Sequence, residues 1–277
     1  MNRPEPRPST PQASAAPVLQ TRDLRMDFGN GPVLDGLDLD LTGGGMVGLI
    51  GPNGAGKSTL LSLLAGLLRP TAGEVRVAGR RLTTLGRRRL ARTIALVPQD
   101  LEIGFAFRAR DVVAMGRYPY LGRFQPPSES DWRAIERAMA ATEVTALAER
   151  TVDSLSGGER QRVLIARALA QQTPVVLLDE VTANLDLSHQ LEVLELAAGM
   201  AADGRLVLAA IHDLMLASRY CRRVLLLAGG RIRADGSPRQ VLTPATLLRY
   251  FGVEARIEPA PGDSGLIITP RLPVRPG

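Results

Sequence analysis

Residues Gly51, Pro52, Asn53, Gly54, Ala55, Gly56, Lys57, Ser58 and Thr59 set two glycines around a four-residue stretch and close on Lys-Ser, the pattern of a loop that cradles phosphate groups. Glycines at 51, 54 and 56 let the backbone turn tightly and aim its N–H groups at phosphate oxygens, and a helix starting there adds the positive end of its dipole. Lys57 is placed to reach the β- and γ-phosphates of a nucleotide, and the Ser58 hydroxyl to ligate Mg²⁺. The 34 basic residues of the chain are 33 arginines and this one lysine. A planar guanidinium cannot replace a compact ammonium between phosphates, so a composition otherwise given over to arginine keeps lysine where that chemistry asks for it.

Further polar residues fall at the ends of apolar runs. Residues 174–178 form a continuous apolar run ending in Asp179 and Glu180, as expected of a strand buried on both faces of a parallel sheet. Asp179 is expected to hold Mg²⁺ through water, and Glu180 to polarise a water attacking the γ-phosphate in line. Gln99 ends the strand-like run 94–98, and His212 follows the run 205–211. Together with Gly51 after the short run 46–50, four strands deliver polar residues to one sheet edge, where open α/β sheets bind ligands.

A second anion site lies in Leu155-Ser156-Gly157-Gly158-Glu159, with Ser156 as N-cap of a helix predicted to run to about Gln171. One phosphate loop and a separate anion-binding helix start in the same chain suggest that the two serve one nucleotide across a subunit interface.

Several elements must position these groups. The leucines at 60, 61, 63, 64, 67 and 68 give the phosphate loop its helix. Residues 18–28 read as an edge strand. In 33–41, leucines alternate with Asp35, Asp38 and Asp40, the pattern of a half-exposed antiparallel strand. Phe28, at a Gly-Asn-Gly turn, offers a ring face for stacking on adenine. Residues 73–79, 224–228 and 231–234 read as further strands, and 244–251 as a short helix. From 100 to 153 strand-like runs disappear, while 109–117 and 128–144 carry helical periodicity, the second opened by a capping box of Ser128 and Asp131. The connection 117–127, rich in aromatic residues and proline, is expected to be an exposed contact surface.

The 277 residues, 45% hydrophobic, suffice for one large α/β domain with a sizeable core. The apolar runs are too short to span a bilayer, and the N-terminus lacks a secretion signal, so a cytosolic location is expected. Residues 1–17, with five prolines, are expected to be a flexible tail, and 258–277 a loosely held one. Cys221, the single cysteine, permits no internal disulfide and reads as a small buried hydrophobe. His189 reads as a solvated helix residue. The net charge of +6 admits nucleic acid or an anionic membrane as partner, and the dispersal of the arginines argues against nucleic acid.

The phosphate loop at 51–59 and the pentapeptide 155–159, in this order and spacing, resemble the nucleotide-binding subunit of ATP-binding-cassette (ABC) transporters over residues 18–257. The resemblance implies an α/β P-loop fold with a mainly parallel core sheet, an antiparallel β subdomain and a helical subdomain at about 100–170. It implies that Gln99 senses Mg²⁺ and water, that His212 contacts the γ-phosphate, that 183–186 touches a partner subunit, and that Phe28 is the adenine platform. Val181 stands where the family usually has Pro, leaving that loop less rigid, and Phe28 where it usually has Tyr, which keeps the stacking face. Residues 115–124, 185–190 and 251–254 look most like importers of iron(III)-siderophores, haem or cobalamin. By resemblance the chain is then an ATP-hydrolysing subunit, a head-to-tail homodimer peripheral to the cytoplasmic face of the inner membrane. It would drive separate permease subunits, and indirectly serve a substrate-binding protein, with 100–123 as the docking surface. The rival reading is a non-transport ABC ATPase of DNA repair or translation. A regulatory module without turnover is opposed by Glu180 and His212 both being in place.

Overall fold

The computed structural model describes residues 18–99, 106–183, 185–263 and 265–271; the expected N-terminal tail, the first part of the expected docking surface and Asn184 lie outside the described residues. The chain opens with strands β1 (Leu19–Asp27), β2 (Pro32–Leu41) and β3 (Gly45–Ile50), followed by helix α1 (Lys57–Leu64). Strands β4 (Ala72–Val77) and β5 (Arg80–Arg81) and the short helix α2 (Arg87–Ala91) lead to β6 (Ile94–Val97). Helices α3 (Ala109–Ala114), α4 (Glu129–Ala141) and α5 (Gly157–Gln171) come next. The chain then alternates β7 (Val175–Leu178), α6 (Leu187–Ala202), β8 (Leu206–Ala210) and α7 (Leu214–Tyr220). It ends with β9 (Arg223–Ala228), β10 (Arg231–Gly236), α8 (Pro238–Val241), α9 (Pro244–Phe251), β11 (Ala255–Pro259) and β12 (Leu266–Pro270).

The core sheet has the order β10-β9-β3-β8-β7-β6, parallel throughout except for the β10–β9 pair. All four residues of β7 are buried, and the two-residue period of a strand divides them between two cores. Val175 and Leu177 join α1 and the leucines of β1 and β2 on one face; Val176 and Leu178 join α3, α4, α5 and α6 on the other. Each fully buried leucine of these cores contributes roughly 2 kcal/mol, which is why apolar runs rather than alternating ones mark the parallel strands.

The second sheet is antiparallel, in the order β2-β1-β4-β5. Leu34, Leu37, Leu39 and Leu41 of β2 are buried while Asp38 and Asp40 face solvent, as the alternation requires. β1 is not the edge strand that the sequence suggests: it pairs with β2 on one side and β4 on the other. Alternation reports which face is covered and carries no information about neighbours in the sheet plane.

Ser128 caps α4 and forms the expected capping box with Asp131. Asp131 has a second task, since its carboxylate accepts from Arg117 Nε at 2.9 Å with both side chains buried. Arg117 also donates to the Ala170 carbonyl, at 2.8 Å, and to Gln172 Oε1, tying the loop after α3 to the end of α5. The Ser128 hydroxyl, and after it the Arg117 guanidinium, holds the Asp131 carboxyl below its usual range. A depressed carboxyl stabilises the fold at neutral pH and loses that contribution on acidification through its folded-state pKa. Arg117→Ala strands the Asp131 charge and is expected to cost about 3 kcal/mol, read as a lowered denaturant midpoint at pH 7.

The described part of the C-terminal segment, which ends at Arg271, is not a loose tail. β11 and β12 pair from Ala255 with Pro270 to Pro259 with Leu266, and the Leu266 N–H donates to Ser218 Oγ of α7 at 2.8 Å. Leu266 is buried in the helical-side core, so apolar burial anchors a segment whose proline content reads as a loosely held tail.

Candidate functional site

Strands β3, β8, β7 and β6 are consecutive neighbours, so their carboxyl ends present the phosphate loop, His212, Asp179 with Glu180, and Gln99 side by side. A cavity of about 520 Å³ opens there. Its lining comprises Asn53, Gly54, Ala55, Gly56, Lys57, Ser58 and Thr59 of the loop, Gln99, Glu180 and His212, together with Val33 and Ala183. Gly56 caps α1 with φ near 99°, and a Cβ there would meet Leu34 Cδ2 at 2.9 Å, so glycine is demanded both by the turn and by the close approach of β2.

Lys57 is buried, and its ammonium donates to the carbonyls of Gly51 at 3.1 Å and Pro52 at 3.3 Å. It also lies 3.5 Å from Glu180 Oε1, which is 2.7 Å from His212 Nε2. One carboxylate oxygen thus stands between an ammonium and an imidazole. Glu180 adopts φ near 48°, a left-handed conformation uncommon for a residue with a side chain. Such backbone strain is found where surrounding structure insists on one orientation. Val181, in place of proline, sends its side chain into the core, and the Ala183 N–H donates to the Glu180 carbonyl at 2.9 Å, so packing and a turn hold this loop.

Ser58 Oγ donates to Asp179 Oδ1 at 3.0 Å, and burial pushes the Asp179 carboxyl up. A hydroxyl and a desolvated carboxylate beside a phosphate loop are hard oxygen donors, the set Mg²⁺ prefers, so the residues fit that ion. Phe28 is exposed and lies outside the cavity lining, of which Val33 forms part.

The second anion site is absent from this lining. Ser156 caps α5 in a capping box: its hydroxyl accepts from the Glu159 N–H, and the Glu159 carboxylate accepts from the Ser156 N–H at 2.8 Å. That N–H, with the Ser156 hydroxyl, holds the Glu159 carboxyl below its usual range. The first N–H groups of a helix have no partner within it; with these two engaged, those of Gly157 and Gly158 remain for a ligand.

The residue that sequence reasoning misplaced is His189. Rather than facing solvent it is half-buried, with its ring where a Cβ on Gly158 would stand, 2.5 Å from Cδ2. Its Nδ1 lies 2.6 Å from Asp186 Oδ1, the cap of α6, which also accepts the His189 N–H. The starts of α6 and α5 are thereby packed together by two residues 31 positions apart in sequence, and no local signal announces that contact. Tyr120 is likewise structural: its hydroxyl donates to the Gln171 carbonyl and its ring lies 3.9 Å from the Arg117 guanidinium carbon. Tyr118 is exposed. Cys221 is buried and its thiol pushed up to about 12 by burial, consistent with a packing role.

A phosphate loop between a central parallel strand and its helix, with an acidic pair on a nearby strand end, defines a P-loop nucleotide-binding fold. Residues 34–183 match the ABC transporter family model, and the chain belongs to that family. It is 46% identical to a cobalamin import ATP-binding protein of Halobacterium salinarum, over 93% of this chain and 64% of that protein, and so spans about two-thirds of that relative's length. It is 48% identical to a hemin import ATP-binding protein of Nocardia farcinica, over 89% of this chain and 85% of that one. Among solved structures, it superposes on a chain of a metal-chelate type ABC transporter in an inward-facing conformation with a TM-score of 0.81. The two are 31% identical, and the match covers 93% of this chain and 98% of that one.

Proposed function

We propose that this chain is the ATP-hydrolysing subunit of an importer for cobalamin, haem or an iron(III)-siderophore. In this reading it acts as a head-to-tail homodimer at the cytoplasmic face of the inner membrane, on separate permease subunits supplied by a substrate-binding protein. The observation that carries the proposal is the division of the nucleotide site: one cavity holds the phosphate loop, Gln99, Glu180 and His212, while Ser156 to Glu159 contribute nothing to its lining. A second copy turned head to tail brings its Gly157 and Gly158 N–H groups over the open side of that cavity. The relatives' names and the metal-chelate neighbour support the cargo class. Among the described residues no helix is long and apolar enough to cross a membrane, which supports a permease on separate chains.

In this reading Lys57 exchanges its two carbonyl partners for phosphate oxygens, and the phosphate-loop N–H groups orient the γ-phosphate. Mg²⁺, held by Ser58 and through water by Asp179, would neutralise charge on the β- and γ-phosphates. Glu180 accepts a hydrogen bond from the attacking water, His212 holds Glu180 and reaches the γ-phosphate, and Gln99 orients water at the strand edge. Phe28 would stack on the adenine from outside the cavity.

Tyr118, exposed on the segment proposed to meet the permease, offers a test of coupling. Tyr118→Asp is expected to lower cargo uptake in cells about tenfold, the effect of roughly 1.4 kcal/mol lost at an interface, with ATPase activity of the isolated subunit unchanged. Uptake of cobalamin, haem and ferric siderophores in a strain lacking the gene tests the function itself. Accumulation of all three at the parental rate would end this reading.

A further inference from the structure

Two consecutive glycines open α5, and only the second has a neighbour seated where its own side chain would stand. Neither adopts a left-handed φ, so the backbone calls for glycine at neither position, and a glycine within a helix weakens it by about 1 kcal/mol relative to alanine. A Cβ on Gly157 would find Leu185 Cδ2 at 3.8 Å, an ordinary contact. A Cβ on Gly158 would lie 2.5 Å from Cδ2 and 2.7 Å from Cγ of His189, closer than atoms can pack. The missing side chain at 158 is therefore the room that the His189 ring occupies.

The ring is not free to step aside. Its Nδ1–H donates to Asp186 Oδ1 at 2.6 Å, and the same oxygen caps α6 by accepting the His189 N–H at 3.0 Å. The cap needs only that N–H, which any residue but proline supplies, so the imidazole does something further: it joins Asp186 and the start of α6 to the first turn of α5. From Asp186 back to the nucleotide the chain is held by short bonds. Gln190 Nε2 donates to the Leu185 carbonyl at 2.9 Å, the Leu185 N–H to the Thr182 carbonyl at 3.4 Å, and the Ala183 N–H to the Glu180 carbonyl at 2.9 Å. One ring contact thus stands between the segment that carries Glu180 and the N–H groups of Gly157 and Gly158.

We propose that His189 is a positioning residue of the shared nucleotide site. Its ring, packed on Gly158 and tied to Asp186, holds the N–H groups that meet the partner's γ-phosphate in register with the segment carrying this chain's own Glu180. The proposal rests on the head-to-tail reading and adds to it the residue that links the two sites within one chain. Such a residue touches neither nucleotide, so its loss spares ATP binding by a single chain and weakens the closure of two. A second link between the same helices, the ion pair of Arg162 with Glu192, lies about one turn further along each of them and provides the comparison.

Light scattering of the full chain at rising Mg-ATP, in a Glu180→Gln background that prevents turnover, tests this. Adding His189→Ala is expected to raise the ATP concentration for half-maximal dimerisation about tenfold, within the span usual for residues that link two sites without touching either ligand. ATP affinity titrated on dilute, monomeric protein is expected to stay unchanged. Glu192→Ala breaks the other link between α5 and α6 and is expected to lower the unfolding temperature while dimerisation follows that of the parent. The contact itself is read by thermal unfolding: Gly158→Ala is expected to destabilise the protein, and to lose that cost once His189→Ala has removed the ring. Dimerisation of the His189→Ala protein at the parent's ATP concentration, equal weakening by Glu192→Ala, or a cost of Gly158→Ala that persists without the ring would each overturn the proposal. A Glu180→Gln protein that never dimerises removes the head-to-tail reading and this proposal with it, whereas one that closes regardless of His189 removes this proposal alone.

Discussion

Lys57→Ala is expected to weaken Mg-ATP binding by about a hundredfold or more, measured by calorimetric or fluorescence titration of the purified protein. The ammonium is buried and held by two carbonyls of the loop it would serve, so it is placed before nucleotide arrives. Replacing it removes two or three charge-assisted hydrogen bonds at about 1.5 kcal/mol or more each. No neighbouring lysine can substitute, because the chain contains no other. The Gly51 and Pro52 carbonyls lose their partner, so thermal unfolding should be followed in parallel. Affinity unchanged in a folded variant would remove Lys57 from the nucleotide site.

Glu180→Gln is expected to keep ATP binding and to slow hydrolysis about a thousandfold, because the amide keeps the shape of the carboxylate and loses its basicity. If the site is shared between two chains, this variant should accumulate in Mg-ATP as a dimer closed on unhydrolysed nucleotide. Adding Ser156→Arg puts a bulky cation at the start of α5 and removes its cap, at a cost of about 1 kcal/mol to that helix. The double variant should still bind ATP through its intact phosphate loop but no longer dimerise. Light scattering with Mg-ATP decides: a Glu180→Gln protein that stays monomeric, or a double variant that still dimerises, would falsify the head-to-tail arrangement.

The positions of Glu180 and His189 show how differently parts of the site could be read in advance. That Glu180 ends a buried strand follows from five apolar residues and two carboxylates in a row. That its oxygen lies between Lys57 and His212 does not, since those residues come from three strands whose order in the sheet has no local signature. His189 looked like any polar residue on an amphipathic helix until Gly158, whose missing side chain leaves room for the ring, was found against it. The same holds for Arg117 and Asp131: the capping box of Asp131 was legible, and its second, buried partner Arg117 was not.

By itself the sequence determined the phosphate loop, the buried strand β7, and the helix starts at Ser128 and Ser156. Each of these depends on interactions reaching only a few residues: glycine dihedrals, a hydroxyl bonded to an N–H three positions on, or a run of aliphatic side chains that must leave water. Tertiary structure alone decided that β1 is interior, that the C-terminal segment closes a hairpin on α7, that His189 packs on Gly158, and that Arg88 and Arg92 hold the carbonyls of loop 118–124. Those outcomes depend on which surfaces remain to be covered once the local elements exist, and that energy is shared among residues far apart in the chain.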